Sequence, residues 1–395
     1  MSSTREAVIV GAARIPTGKF LGSLLPLRAP DLGAVAIREA VKRAKIDPNE
    51  IEEVIMGNVV QAGIGQAPAR QAALKAGLPD STSALTVNKV CGSGLQAVML
   101  ATQAIKAGDG NVYVAGGMES MSNAPYLLRT ARTGMRMGNS EVVDADVNDG
   151  LWCAIENWHM GMAAEFIADE SGITRQMMDE FSYNSQMKAV KAIQEGRFKA
   201  EIAPVEVPQK KGSVLFENDE TPRADTTLET MTKLAPAFKP GGKVTAGNAP
   251  GLSDGAGAVV VVDAEYAKAN GLQPLARITG YASAGREPKW IFATPVLAVR
   301  KLLAKTGMKV EDFDLFEINE AFSSQILHNG IELKVDWEKV NVNGGAVALG
   351  HPIGASGARI LVTLIYALRA RGLSKGLAAL CLGGGGAVAM SIELM

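Results

Sequence analysis

Cysteine is scarce in this chain of 395 residues: Cys91, Cys153 and Cys381 stand far apart, and no two are spaced as CxxC. That excludes a disulfide framework and the start of a zinc site, and it points to a reducing, cytoplasmic setting. Charge of one sign is also missing. Lys and Arg number 40 against 41 Asp and Glu, a formal net charge of -1, so no overall field draws the chain to nucleic acid or to an anionic membrane. An anionic ligand must be held locally. No apolar run reaches the roughly 18 residues of a membrane span. Met1 to Glu6 run straight into the strand-like Ala7-Val8-Ile9-Val10, which leaves no space for a signal h-region, and Glu393-Leu394-Met395 does not read as a peroxisomal address. Aromatics make up only 5%.

What is abundant is apolar residues, at 47%, and glycine, at 43 positions, in a chain long enough for two or three filled cores. Many glycines suit tight strand-to-helix turns and close helix packing, hence a layered α/β fold. Short β-branched runs, Val54-Ile55-Met56 and Val112 to Ala115, alternate with helical patterns at Asp31 to Lys42 and Leu95 to Lys106. From Met121 to Thr245 the text turns polar and Met-rich, with Arg129, Arg132 and Arg136 and one amphipathic helix around Thr174 to Gln194. It reads as an insertion. Ala258 to Val262 returns to the first core, and Gln273-Pro274 is a short linker. The expected division is 1–120 with 247–272, an inserted loop domain 121–246, and 273–395.

A weak internal repeat accompanies that division. Val87-Asn88 leads to Cys91-Gly92-Ser93-Gly94, a helix, and Val112 to Ala115 ending in Gly116-Gly117. Val342-Asn343 leads to His351 and then Gly354-Ala355-Ser356-Gly357, a helix, and Ala378 to Leu382 ending in four glycines. Two such halves would bring two equivalent turns face to face.

Cys91 follows the strand-like Leu85-Thr86-Val87 and precedes a helix with apolar Leu95, Val98, Met99 and Ile105. A sulfur at a helix N-terminus meets orphan N–H groups and the positive end of the dipole, which favour the nucleophilic thiolate. Gly92 and Gly94 clear space for an acyl group. Most isolated cysteines are small buried hydrophobes, but the turn position favours a nucleophile. The same stretch, Gly92-Ser93-Gly94-Leu95-Gln96-Ala97, also fits the GxGxx(G/A) dinucleotide fingerprint, with Glu119 placed for a ribose. Against a dehydrogenase, Cys91 occupies the turn where a pyrophosphate would pass, and the Gly383 to Gly386 run fails the fingerprint at Val388.

Only three histidines need weighing. His351, framed by Gly350, Pro352 and Gly354, has a stiffened turn and space around the imidazole. His159 reads as binding or structural, and His328 as surface or packing. Cys381 closes the last apolar strand before the glycines, where a core thiol and a functional one are equally open readings. Asn319, opening the polar turn Asn319-Glu320-Ala321-Phe322-Ser323, could be a helix cap. Cys153 reads as packing.

Taken together, Val90-Cys91-Gly92-Ser93-Gly94, Gly117-Met118-Glu119-Ser120-Met121-Ser122, Asn319-Glu320-Ala321-Phe322, Gly350-His351-Pro352-Ile353-Gly354-Ala355-Ser356-Gly357 and Cys381-Leu382-Gly383-Gly384-Gly385 resemble the thiolase family over essentially the whole chain. The resemblance implies a duplicated αβαβα core of two five-stranded halves, a loop domain inserted in the first, and a homodimer or homotetramer. It implies an acyltransferase that joins two acetyl-CoA into acetoacetyl-CoA and reverses the reaction by thiolysis, with a medium- or long-chain 3-ketoacyl-CoA thiolase of fatty-acid degradation, or a thiolase-like protein that binds acyl-CoA without turnover, as the alternatives. Cys91 would carry the acyl group, His351 activate it, and Cys381 move the α-proton. One oxyanion hole would come from His351 and a water on Asn319, the other from the N–H groups of Cys91 and Gly383. CoA would meet Leu151, His159, Met160, Arg223, Thr230, Ala246, Leu252, Ala321 and Phe322, with no metal and no cofactor besides the CoA substrates.

Some positions depart from the family's usual residues. Pro250 stands in place of a serine and Ser253 in place of an asparagine; Ile291 and Phe292 replace Met and Gly; Gly386 and Ala387 replace Met-Gly. The implied consequence is an altered acyl pocket with the catalytic set complete.

Overall fold

The computed structural model describes residues 5–395. Nine main strands form one continuous sheet: β1 (Ala7–Arg14), β2 (Glu53–Gly57), β3 (Ser83–Val87), β4 (Val112–Ser120), β5 (Ser253–Asp263), β6 (Ala276–Gly285), β7 (Leu315–Ile318), β8 (Lys375–Leu382) and β9 (Gly386–Leu394). Their spatial order is β7-β8-β9-β6-β1-β5-β4-β2-β3, with Gly18–Lys19 paired to the start of β5. Two halves meet at a short antiparallel seam, Val8 opposite Arg277 and Ile9 opposite Ala276. Outward from it the pairings run antiparallel, antiparallel, parallel in both directions, through β1-β5-β4-β2 and through β6-β9-β8-β7. The weak sequence repeat is therefore a repeat of topology.

The halves differ at their outer edge. β3 completes five strands in the first, whereas the second has four and, in place of a fifth, one parallel bridge from Phe316 to Val340. Asn341 turns left-handed, at φ 44°, directly after that bridge. Its side chain accepts from the Ile318 N–H and donates to the Ile318 carbonyl, both at 2.9 Å, so one amide takes over the pairing that a strand would provide.

The main helices are α1 (Ala29–Ala44), α2 (Pro68–Lys75), α3 (Ser93–Ala107), α4 (Met160–Glu170), α5 (Arg175–Gln194), α6 (Thr294–Thr306), α7 (Ser323–Leu333) and α8 (Ser356–Arg371). Thr174 caps α5 by accepting from the Met177 N–H. Strand alternation sorts the layers. On β5, Val260 and Val262 face α1, while Val259 and Val261 face α3 and α8. On β7, Leu315 faces the central helices and Phe316 and Ile318 face α6 and α7. The stack is helices, half-sheet, the α3 and α8 pair, half-sheet, helices. Helices α3 and α8 cross at Gly94 and Gly357. A Cβ on Gly94 would lie 2.8 Å from the Ala358 nitrogen, and one on Gly357 would strike the Leu95 backbone. This crossing fixes the two turns beside each other.

Residues 121–252 leave the sheet and supply α4, α5 and short two-stranded ladders. A buried cluster ties this region back. Arg14 on β1, fully buried, donates to both oxygens of Asp219 at 2.7 and 2.9 Å and to Glu201 at 2.6 Å.

Candidate active site

The turn after β3 is built by its own side chains. Asn88 Oδ1 accepts from the Val90 N–H at 3.0 Å, and Ser93 Oγ accepts from the Lys89 N–H at 2.8 Å while donating to the Val90 carbonyl at 2.6 Å. Val90 is held at φ 47°, a left-handed conformation costly for a β-branched residue. Cys91 stands on this strained turn two residues before α3. A Cβ on Gly92 would come within 2.6 Å of Leu382, so glycine lets the turn seat against the end of β8, where Cys381 lies.

His351 is 8% exposed. Its Nδ1 lies 2.6 Å from Ser356 Oγ, and Ser356 spends its hydroxyl proton on the Pro352 carbonyl at 2.9 Å. Ser356 must then accept from Nδ1–H, which leaves Nε2 unprotonated and 3.5 Å from Asn319 Nδ2. The His351 N–H donates to Ser253 Oγ at 3.2 Å. Ser253 thus braces the histidine loop, a role that reading it as a departure did not reveal. Ser356 carried a signal, the Ser-Gly shared by both repeats, but its bond to His351 depends on the loop's path.

Glu119 is fully buried and accepts from Asn58 Nδ2 and from the N–H groups of Val59, Val60 and Gly354 at 2.7 to 3.2 Å. It fastens the loop of the second half to the first and is not free for a ribose. The dinucleotide reading fails there.

Burial pushes the Cys91 thiol up to about 12, against the opposing pull of its own N–H and that of Gly383, with Glu119 adding to the rise. The expectation that a helix start favours thiolate is overturned: the apolar walls outweigh the N–H groups. Burial, helped by the Arg359 charge, takes His351 down to about 3. Cys381 is raised well above the ordinary range by burial and then by Cys91. The resting site holds two neutral thiols and a neutral imidazole.

Gly384 and Gly385, at φ 81° and 86°, turn the chain after β8 in a conformation that glycine adopts without strain. The Gly385 carbonyl accepts from the Arg286 N–H at 3.0 Å and from Thr294 Oγ1 at 3.1 Å, which locks the 286–294 segment against this turn.

Cys91, His351 and Cys381 share one cavity of about 300 Å³ with mostly apolar walls. Leu151, His159, Met160, Leu252, Ala321 and Phe322 line it, as do Pro250, Ile291 and Phe292. Phe238 and Val147, in the polar insertion, line it too and had no periodic signal to mark them. His159 accepts from the Gly161 N–H through Nδ1 at 3.0 Å and stacks on Phe238 at 4.8 Å. Asn319, 1% exposed, is no helix cap; Phe322 holds that place before α7. Arg223, Thr230 and Ala246 are exposed and lie outside the cavity wall. Thr230 bonds only to Thr227 around a short helical turn, and Arg223 is held by its N–H on Gln186 at 2.9 Å. Cys153 is buried, and His328 is half-buried with Nδ1 2.7 Å from Ser171 Oγ. A larger groove of about 580 Å³ between α5 and residues 337–341 contains no cysteine or histidine.

Residues 7–265 match the thiolase N-terminal domain and residues 272–394 the thiolase C-terminal domain. The chain is 55% identical over 390 residues to an acetyl-CoA acetyltransferase of Escherichia coli (98% of this chain, 99% of that protein) and 53% identical over 389 residues to one of Pseudomonas aeruginosa, with the same coverage. Its fold superposes on the crystal structure of the Bacillus anthracis acetyl-CoA acetyltransferase with a TM-score of 0.98 at 45% identity, covering all of both chains. With both halves matched and these relatives aligned almost end to end, the chain belongs to the thiolase family.

Proposed function

We propose that this chain is a CoA-dependent acyltransferase that condenses two acetyl-CoA to acetoacetyl-CoA and CoA and catalyses the reverse thiolysis. The observation that carries the reading is the convergence of Cys91, His351 and Cys381 on one apolar cavity; the acetyl-CoA acetyltransferases it resembles supply the substrate class. In thiolysis, the Cys91 proton passes to His351 Nε2 as sulfur attacks the keto carbon of acetoacetyl-CoA. The bond between C2 and C3 breaks, and the departing enolate takes a proton from Cys381. CoA thiol then gives its proton to the Cys381 thiolate as its sulfur attacks acetyl-Cys91, and His351 returns its proton to the departing Cys91 sulfur, which releases the second acetyl-CoA and restores all three residues. Condensation is the same path reversed.

Negative charge develops on a thioester or keto oxygen at both stages. We assign one set of donors to His351 with a water on Asn319, and the other to the N–H groups of Cys91 and Gly383, both of which act on the Cys91 sulfur. The pantetheine arm would run past Leu151, His159, Met160, Leu252, Ala321 and Phe322, which share the cavity with Cys91. Arg223, Thr230 and Ala246 would serve only the outer end of CoA. The reading includes the three-part division of the chain given above, a homo-oligomer, a cytoplasmic setting and no metal or resident cofactor. Among the described residues no helix is long and apolar enough to cross a membrane.

The test is acetoacetyl-CoA cleavage with CoA, followed as loss of enolate absorbance, together with labelled acetyl-CoA. Cys91→Ser should take up no label. Cys381→Ser should still be labelled, while proton exchange at the α-carbon of acetyl-CoA is lost. Label found elsewhere than on Cys91 would sink the assignment.

A further inference from the structure

Glu317 and Arg359 take no part in the chemistry above, yet they sit on the two elements that carry it. Leu315, Glu317 and Asn319 share the face of β7 turned to the central helices, as the packing of Leu315 inward and of Phe316 and Ile318 outward requires. Helix α8 presents Ser356 and, about one turn later, Arg359. One rung joins strand to helix through Asn319 Nδ2, His351 Nε2 at 3.5 Å, and His351 Nδ1 to Ser356 Oγ at 2.6 Å. A second rung joins them through Arg359 Nη1 and Glu317 Oε2 at 3.6 Å, both residues at most 3% exposed.

We infer that the Glu317 and Arg359 ion pair is a positioning device, holding β7 and α8 at the separation that keeps Asn319 against His351, and this rests on the acyltransfer reading above. A buried pair contributes little net stability because desolvation offsets the attraction, so its geometric effect is the larger one. The pair also has an electrostatic side. Among the described residues Arg359 is the one charged group that acts appreciably on His351 and favours its neutral form; the other titratable groups that share its cavity are the thiols Cys91 and Cys381 and the His159 imidazole. Around Arg359 itself stand Glu317 on β7, Arg14 on β1, Glu201 from the inserted region and Glu320. Removing the guanidinium charge should let His351 take a proton at higher pH. Burial pushes the Glu317 carboxyl up to about 8 against the pull of Arg359, so the pair is fully charged only above that pH; Glu317→Gln keeps the guanidinium and should leave the His351 titration where it is or lower it. Simple loosening would move both variants the same way.

The experiment compares Arg359→Met, Arg359→Lys and Glu317→Gln in thiolysis of acetoacetyl-CoA across pH. Both charge-removing variants should lower kcat about tenfold or more with KM within about twofold, since positioning acts on the transition state more than on binding. The acid limb of kcat/KM should shift to higher pH in Arg359→Met, return in Arg359→Lys, and stay or shift lower in Glu317→Gln. Folded variants with kcat within about twofold of the natural protein and unmoved limbs would overturn the inference. If Arg359→Met does not fold, Glu317→Gln, equal in size, decides the matter by its kcat and KM. A natural protein that fails to cleave acetoacetyl-CoA would instead sink the functional reading.

Discussion

Cys91 and His351 are both neutral at rest because each lies where burial penalises charge. The nucleophile is therefore made only as the proton crosses to Nε2, and Ser356 prepares that nitrogen by fixing the tautomer. This gives a prediction about the free protein. Alkylation of Cys91 by iodoacetamide should be slow near pH 7 and rise about tenfold per pH unit up to pH 10, tracking the small thiolate fraction of a thiol pushed up to about 12. Mass spectrometry of the modified peptide reads it. A rate that levels off below pH 8 would mean that the N–H groups win over burial after all.

At the scale of an element, the 288–293 turn brings Ile291 and Phe292 to the cavity from the wall held against the Gly383 to Gly386 turn. Phe292 is 2% exposed, and its ring lies 5.5 Å from Phe322, which meets Phe238 at 6.2 Å. In a chain poor in aromatics, these rings and the His159 imidazole line one side of the site. Phe292→Ala should cost about 3–5 kcal/mol of stability by leaving a void. The same void should raise thiolysis of six- to eight-carbon 3-ketoacyl-CoA relative to acetoacetyl-CoA. Thermal melts and a chain-length series check the two effects separately, and an unchanged preference would remove Phe292 from the acyl wall.

Across the whole molecule, the inserted region is tied to the core by charge as well as by apolar contact. Arg14 emerges from β1 into Asp219 and Glu201, and Thr363 on α8 donates to Glu201 at 3.1 Å. Asp219 also accepts from the Thr17 N–H at 2.8 Å. Asp219→Ala should cost about 3 kcal/mol, because it removes both carboxylate oxygens that accept from the Arg14 Nη groups and leaves the buried guanidinium with Glu201 as its one carboxylate. Limited proteolysis should then cut first between residues 200 and 225. Cleavage elsewhere, or an unchanged unfolding midpoint, would show that the apolar contacts of Ala203, Val205 and Val207 suffice to hold the region.

The amino-acid sequence by itself determined the α/β class, the strand-turn-helix at Cys91, the repeat behind the two halves and the five motifs, because these depend on residues within a few positions of each other. It marked Leu151, Leu252 and Phe322 only through family resemblance, and it placed Arg223, Thr230 and Ala246 beside them although they lie off the cavity wall. Tertiary structure alone decided three things. The crossing at Gly94 and Gly357 set residues 91 and 351 together. Ser253 and Glu119 became braces for a loop about 100 and 235 positions away. The thiol of Cys91 became neutral, reversing the local expectation, since desolvation is set by walls drawn from distant parts of the chain, which no neighbouring residue can report.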